Sequence, residues 1–108
     1  MDDLLAARRL AALGHATRLA VFRRLVGCGA QGCRVGDLQQ ALGIPASTLS
    51  HHLSRLVAAG LVEQRREGRV LRCIPVLAAL DATVDYLTEQ CCAGSCDLPA
   101  EQEGNKKA

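Results

Sequence analysis

A chain of 108 residues with a net charge of +2 and 49% apolar residues has the size of one domain and enough material for a core. Aromatics make up only 2%, so that core must be Leu, Val and Ala, which favours helices over an aromatic-rich β-sandwich. No apolar run approaches the ~20 residues that span a membrane, and the acidic start MDDLLAARRL has no apolar stretch followed by a cleavage site, so the chain reads as cytoplasmic, with reduced thiols and no membrane partner.

The first predicted helix carries Leu4, Leu5, Leu10 and Leu13 and stops at Gly14. HATRLAVFRRLV follows as a second, with Leu19, Phe22, Leu25 and Val26 at helical spacing, ended by Gly27 and Gly29. CGAQGC is a Gly-rich loop flanked by Cys28 and Cys33. VGDLQQALG is a short third helix, stopped by Gly43, with Asp37 to Leu42 as the first helix of a two-helix unit. Gly43-Ile44-Pro45 is a tight turn, and Ala46 to Ala59 is a fourth helix with Leu49, Leu53 and Leu56 as its stripe. Ser47 or Thr48 is the expected cap there. The texture then changes to LVEQRREGRVLRCIPV, two strand-like runs around Arg66-Glu67-Gly68, broken by Pro75. In the last helix Leu77, Leu80, Val84 and Leu87 are spaced 3-4-3, a narrow seam of the kind that packs on another helix. In so short a chain that partner can be a second copy. A polar tail with Pro99 is expected to be disordered.

Charge is divided along the chain. From Arg18 to Arg72 nine arginines face three acids (Asp37, Glu63, Glu67), a balance of +6. From Cys73 to Asn105 there are six acids and no Lys or Arg. A basic segment within a folded domain is the footprint of nucleic-acid binding. DLQQALGIPASTLSHHLSRL has the two helices and tight turn of a helix-turn-helix. Ser47, Thr48, Ser50, His51 and His52 crowd the start of its second helix, where short hydroxyls and imidazoles can meet base edges and phosphates in the major groove. Arg55 sits a turn later, within reach of a phosphate. Arg65, Arg66 and Arg69 surround the hairpin tip and can enter a minor groove or grip the backbone. The expected fold is mainly α with a small β-hairpin, a winged helix-turn-helix. No nucleophile–base–orienter set and no phosphate loop suggest an enzyme, and no organic cofactor is expected.

LGHATRLAVFRRLV followed by VGDLQQALGIPASTLSHHLSRLVAAGLVEQRREGRV resembles the ArsR/SmtB family of metal- and metalloid-responsive repressors over residues 8 to 90. The resemblance implies a homodimer joined through the first and last helices, here through Leu4, Leu5, Leu77, Leu80, Val84 and Leu87. It also implies operator DNA as partner and release on binding an inducer. Two of the family's sensor sites are missing. The arsenic site's Cys-Val-Cys-Asp-Leu is replaced by Arg34-Val35-Gly36-Asp37-Leu38, and the last helix has Asp81, Asp85 and Glu89 but no His for the family's zinc site.

QCCAGSCD, at residues 90–97, is what remains. Cys91, Cys92 and Cys96 resemble the Cys-Cys plus Cys arrangement of some arsenic-responsive members. Soft thiolates select soft metals and metalloids, so trivalent arsenic or antimony is the expected inducer. Residues 1–90 then form the DNA-binding and dimerisation domain, and 91–108 the sensor segment and tail. Persulfide or oxidant sensing by a cysteine pair stays open, with Cys28 or Cys33 joining Cys91 or Cys92. So do cadmium, lead or copper sensing, and a non-regulatory thiol site that sequesters metal. Six cysteines could also form a disulfide scaffold, a reading opposed by the missing export signal and the sufficient helical core. Cys73, alternating within a strand, is expected to be a buried small hydrophobe.

Overall fold

The computed structural model describes residues 1–89. Its elements are α1 (Asp3–Leu13), α2 (Ala16–Gly27), β1 (Cys33–Arg34), α3 (Val35–Leu42), α4 (Ala46–Ala58), β2 (Val62–Glu67), β3 (Val70–Pro75) and α5 (Leu77–Thr88). Local chemistry fixes several boundaries. Asp2 caps α1, its Oδ1 accepting from the Leu5 N–H at 2.9 Å. His15 caps α2 with Nδ1, accepting from the Thr17 N–H at 3.2 Å. Gly43 ends α3 in the left-handed conformation, at φ 66°, and its N–H bonds the Gln39 carbonyl. The turn that follows swings the chain into α4. There Pro45 is the capping residue and no side chain caps the helix, so neither Ser47 nor Thr48 takes the role expected of it.

One core holds these elements together. Val21 and Leu25 of α2, Leu38 of α3, and Leu49, Leu53 and Leu56 of α4 are buried with Leu61, Val62 and Cys73. Burial of each Leu side chain contributes on the order of 1.5–3 kcal/mol. Phe22, the one phenylalanine in the sequence, is buried among them.

The expected hairpin is there, but it belongs to a three-stranded antiparallel sheet in the order β1-β3-β2. β1 is two residues long, pairing Cys33 with Cys73 and Arg34 with Arg72. Two residues carry no readable alternation, which is why the sequence pattern shows a loop there. α3 begins at Val35, the first residue of the expected VGDLQQALG helix, and β1 delivers the chain straight into it.

Cys28 and Cys33 are joined by a disulfide, with Cα atoms 6.0 Å apart. This corrects the expectation that these thiols stay reduced. Gly29 at φ 84° and Gly32 at φ 69° fold the intervening loop back on itself, bringing the two cysteines into bridging range. A single local bridge across five positions is not a disulfide scaffold. Cys73 is a buried free thiol, as expected. Burial pushes its pKa up, against a weaker opposing hydrogen bond from Gln64 Nε2 at 3.8 Å.

Candidate nucleic-acid interface

Two faces of α4 do different work. Leu49, His52, Leu53 and Leu56 point into the protein, while Ser47, Ser50, His51, Ser54 and Arg55 are exposed, and Thr48 is half-buried. The helical period sets this division: 49, 52, 53 and 56 form one stripe, and 47, 50, 51, 54 and 55 lie opposite. Of the polar residues predicted to read DNA from this helix, His52 is the exception. The residue is only 7% exposed. Its ring centroid lies 4.8 Å from that of His15, at the start of α2, and 5.7 Å from that of His51. Its Nδ1 has no hydrogen-bond partner. Burial first, then the nearby His15, Arg18 and His51, lowers its pKa. The His52 ring packs between α4 and the start of α2, apart from the exposed polar face that the sequence groups it with.

In the sheet, Arg65 and Arg72 are directly opposed and share a face. Arg65 lies 3.5 Å from Glu63, both exposed, and Arg72 Nε donates to Glu67 at 3.2 Å. Exposed pairs of this kind contribute little. Arg66 and Arg69 are exposed and have no ion-pair partner among the described residues. They flank Gly68, whose φ of 66° makes the tight tip of the wing.

The expected dimer residues divide. Leu4, Leu77, Val84 and Leu87 are exposed, with Leu4 the most so at 69%. Leu5 is half-buried, and Leu80 packs on the protein's own core. The face of α5 turned into the protomer is Ala79 and Thr83, not the 3-4-3 seam. Cys91, Cys92 and Cys96 lie outside the described residues. Among the described residues no group of three or more His, Cys, Asp or Glu is placed to hold a metal ion, and no helix is long and apolar enough to cross a membrane.

Arg9 was missed by sequence reading. From α1 its Nε donates to the Ala59 carbonyl at 3.0 Å, and its Nη1 to the Ala79 carbonyl at 3.3 Å and Thr83 Oγ1 at 3.4 Å. One guanidinium thus ties α1 to the end of the recognition helix and to α5. In the sequence it is one arginine of an Arg-Arg pair on a helix, indistinguishable from a solvated one. Tyr86 on α5 hydrogen-bonds Asp3 on α1 as a second tie, and its pKa is pushed up to about 12, chiefly by that bond.

Helix-turn-helix, exposed polar recognition face and arginine-tipped hairpin define a winged helix-turn-helix protein. The family model described as a helix-turn-helix domain matches residues 13–65. The chain is 32% identical to the homodimeric winged helix-turn-helix DNA-binding domain of a possible ArsR-family transcriptional regulator, Mb0332 of Mycobacterium bovis; the match covers 80% of each chain with a TM-score of 0.62. An ArsR-like transcriptional regulator from Rhodococcus superposes with a TM-score of 0.71 at 29% identity, over 80% of this chain and 78% of that one. In sequence, 59 residues are 42% identical to the putative arsenical resistance operon repressor ArsR2 of Halobacterium salinarum, covering 55% of this chain. The chain spans 49% of that curated relative's length and 63% of a second one's. The chain belongs to the ArsR/SmtB family, a family of DNA-binding transcriptional regulators rather than enzymes.

Proposed function

We propose that this protein is a dimeric transcriptional repressor that leaves its operator when trivalent arsenic or antimony binds Cys91, Cys92 and Cys96. The observation that carries the DNA-binding part is the shared exposure of Ser47, Ser50, His51 and Arg55 on α4 and of Arg66 and Arg69 at the wing tip. Residues of the first set are suited to base edges and phosphates of a major groove, and those of the second to the neighbouring backbone or minor groove. Thr48 stands at the margin of this set, and Arg65 joins it only by releasing Glu63. Two copies joined through Leu4, Leu77, Val84 and Leu87 would present two recognition helices to half-sites about 34 Å apart.

The inducer reading rests on three thiols within six positions, beyond α5 in the sequence, with the family's other cysteine pair absent at Arg34 and Gly36. The name of the Halobacterium relative supports it. Three thiolates suit a soft metalloid centre. Because the ligands follow the helix proposed to join the dimer, binding there bears on the spacing of the two recognition helices. The coupling is reciprocal, so operator DNA weakens metalloid binding by the same factor.

The test is a titration of arsenite into the full chain bound to its upstream DNA, followed by fluorescence anisotropy. Release is expected for the natural protein and not for the Cys91→Ser or Cys96→Ser variants, all binding DNA alike without arsenite. Variants that release at the natural concentration would refute the assigned sensor. A protein that never binds the DNA would refute the regulatory reading.

A further inference from the structure

The Cys28–Cys33 bridge does not lie in a plain surface loop. It forms part of the wall of a cavity of about 430 Å³ that is also lined by Arg24, Arg34, Arg72 and Asp37. Three arginines and one aspartate line it, and none of the three is ion-paired with Asp37 among the described residues. Glu67 engages Arg72 from outside the cavity, while Arg24 and Arg34 have no ion-pair partner among the described residues. Cys28 is an exposed residue and Cys33 a buried one, so attack from solvent is directed at the Cys28 side of the bridge. We propose that this cavity is a thiol–disulfide exchange site for a carboxylate-bearing low-molecular-weight thiol, distinct from the metalloid site and independent of it.

The chemistry balances with the thiol as sole reductant. A thiolate RS⁻ attacks the Cys28 sulfur. The new RS–S bond forms as the Cys28–Cys33 bond breaks, and the electron pair leaves on the Cys33 sulfur. A second RS⁻ attacks the mixed disulfide, giving RSSR and the Cys28 thiolate. Two electrons pass from two thiols to the bridge, and the two protein thiolates take up the two protons the thiols gave. Arginines act twice. Their field concentrates an anionic nucleophile at the sulfur and holds its carboxylates, and it steadies the departing Cys33 thiolate.

The position gives the exchange consequence. Cys28 is the C-cap of α2. Cys33 lies in β1, which runs directly into α3 of the helix-turn-helix and pairs with β3 of the wing. The redox state of one bond therefore sets whether the end of α2 is tied to the DNA-reading unit.

The experiment uses the oxidised full chain. Tryptic peptide Leu25–Arg34 contains both cysteines, so alkylation and mass spectrometry follow this bridge separately from the other thiols. Reduction rates are measured with mercaptosuccinate, neutral 2-mercaptoethanol and cationic cysteamine. Each is divided by the same thiol's rate with uncharged bis(2-hydroxyethyl) disulfide, which removes differences in nucleophilicity. At low salt the normalised rate for mercaptosuccinate should exceed that for cysteamine by at least about tenfold, and the ratio should collapse at 1 M salt. Arg24→Gln, at an exposed position, should cut the ratio severalfold. A Cys91→Ser/Cys92→Ser/Cys96→Ser chain should retain it, which separates this site from the proposed sensor. A ratio near one, a ratio indifferent to Arg24→Gln and to salt, or an oxidised protein without the Cys28–Cys33 bridge would overturn the proposal.

Discussion

Gly32 is the position where a single added carbon should do most damage. A Cβ built there would lie 1.9 Å from the Cys73 carbonyl oxygen and 2.8 Å from Ile74 Cα, both backbone atoms of β3. Its φ of 69° is also in the left-handed region. Gly29, three residues earlier in the same loop, has φ 84° and nothing within 4 Å of its virtual Cβ. The pair separates two costs. Gly29→Ala bears only the left-handed penalty, about 1–2 kcal/mol, partly offset by the reduced freedom of the unfolded chain, about 0.4–1 kcal/mol. Gly32→Ala adds an overlap with backbone that no rotamer change relieves, which costs about 1–3 kcal/mol in a packed region. The expected losses are about 1 kcal/mol for Gly29→Ala and about 2–4 kcal/mol for Gly32→Ala. Urea unfolding followed by circular dichroism, at one protomer concentration and with excess reductant, measures both. With a slope of about 1–2 kcal/mol per M, the Gly32→Ala midpoint should fall by about 2 M and the Gly29→Ala midpoint by less than 1 M. Equal midpoints would refute the close approach of the loop to β3, and with it the short strand β1.

Arg9→Met keeps the aliphatic stem and removes three hydrogen bonds, two of them to carbonyls at the end of α4 and on α5. A loss of about 1.5–3 kcal/mol is expected, seen as a Tm lower by roughly 10 °C; an unchanged Tm would mean the guanidinium is dispensable there. For His52, the folded pKa lies below the usual 6.5, so the unfolded chain takes up the proton first. Its contribution to stability is present above pH 6.5 and is lost as pH falls below it. A His52→Leu variant should therefore lose less stability than the natural protein between pH 7 and 5.5, and parallel pH profiles from denaturant titrations would contradict the burial of this ring.

The helices, the hairpin and the helix-turn-helix were legible because their signals are local. Leu49, Leu53 and Leu56 recur at the helical period, Gly43-Ile44-Pro45 can only be a turn, and Arg66-Glu67-Gly68 breaks an alternating run. Periodicity, turn chemistry and charge asymmetry are properties of neighbouring residues, and no fold is needed to read them. They placed Ser47, Ser50, His51 and Arg55 on one helix and Arg66 and Arg69 at one tip. They did not tell which polar residue of the recognition helix faces inward. Ser50, His51 and His52 are equally polar in sequence, and only the packing of α4 on α2 turns the His52 ring toward His15.

Partners distant in the chain were likewise settled by tertiary structure. Arg9 finds its acceptors 50, 70 and 74 residues away. Arg24, Arg34 and Arg72 line one cavity because α2 ends beside β1, and β1 pairs with β3. The sequence by itself determined a family's scaffold and the exposed polar faces of α4 and the wing tip, since periodicity and composition encode which side of each element is apolar. The tertiary structure decided which arginine is a tie, which histidine is buried and which cysteines are bridged. Those outcomes depend on distances across elements, and a linear pattern carries no such distances.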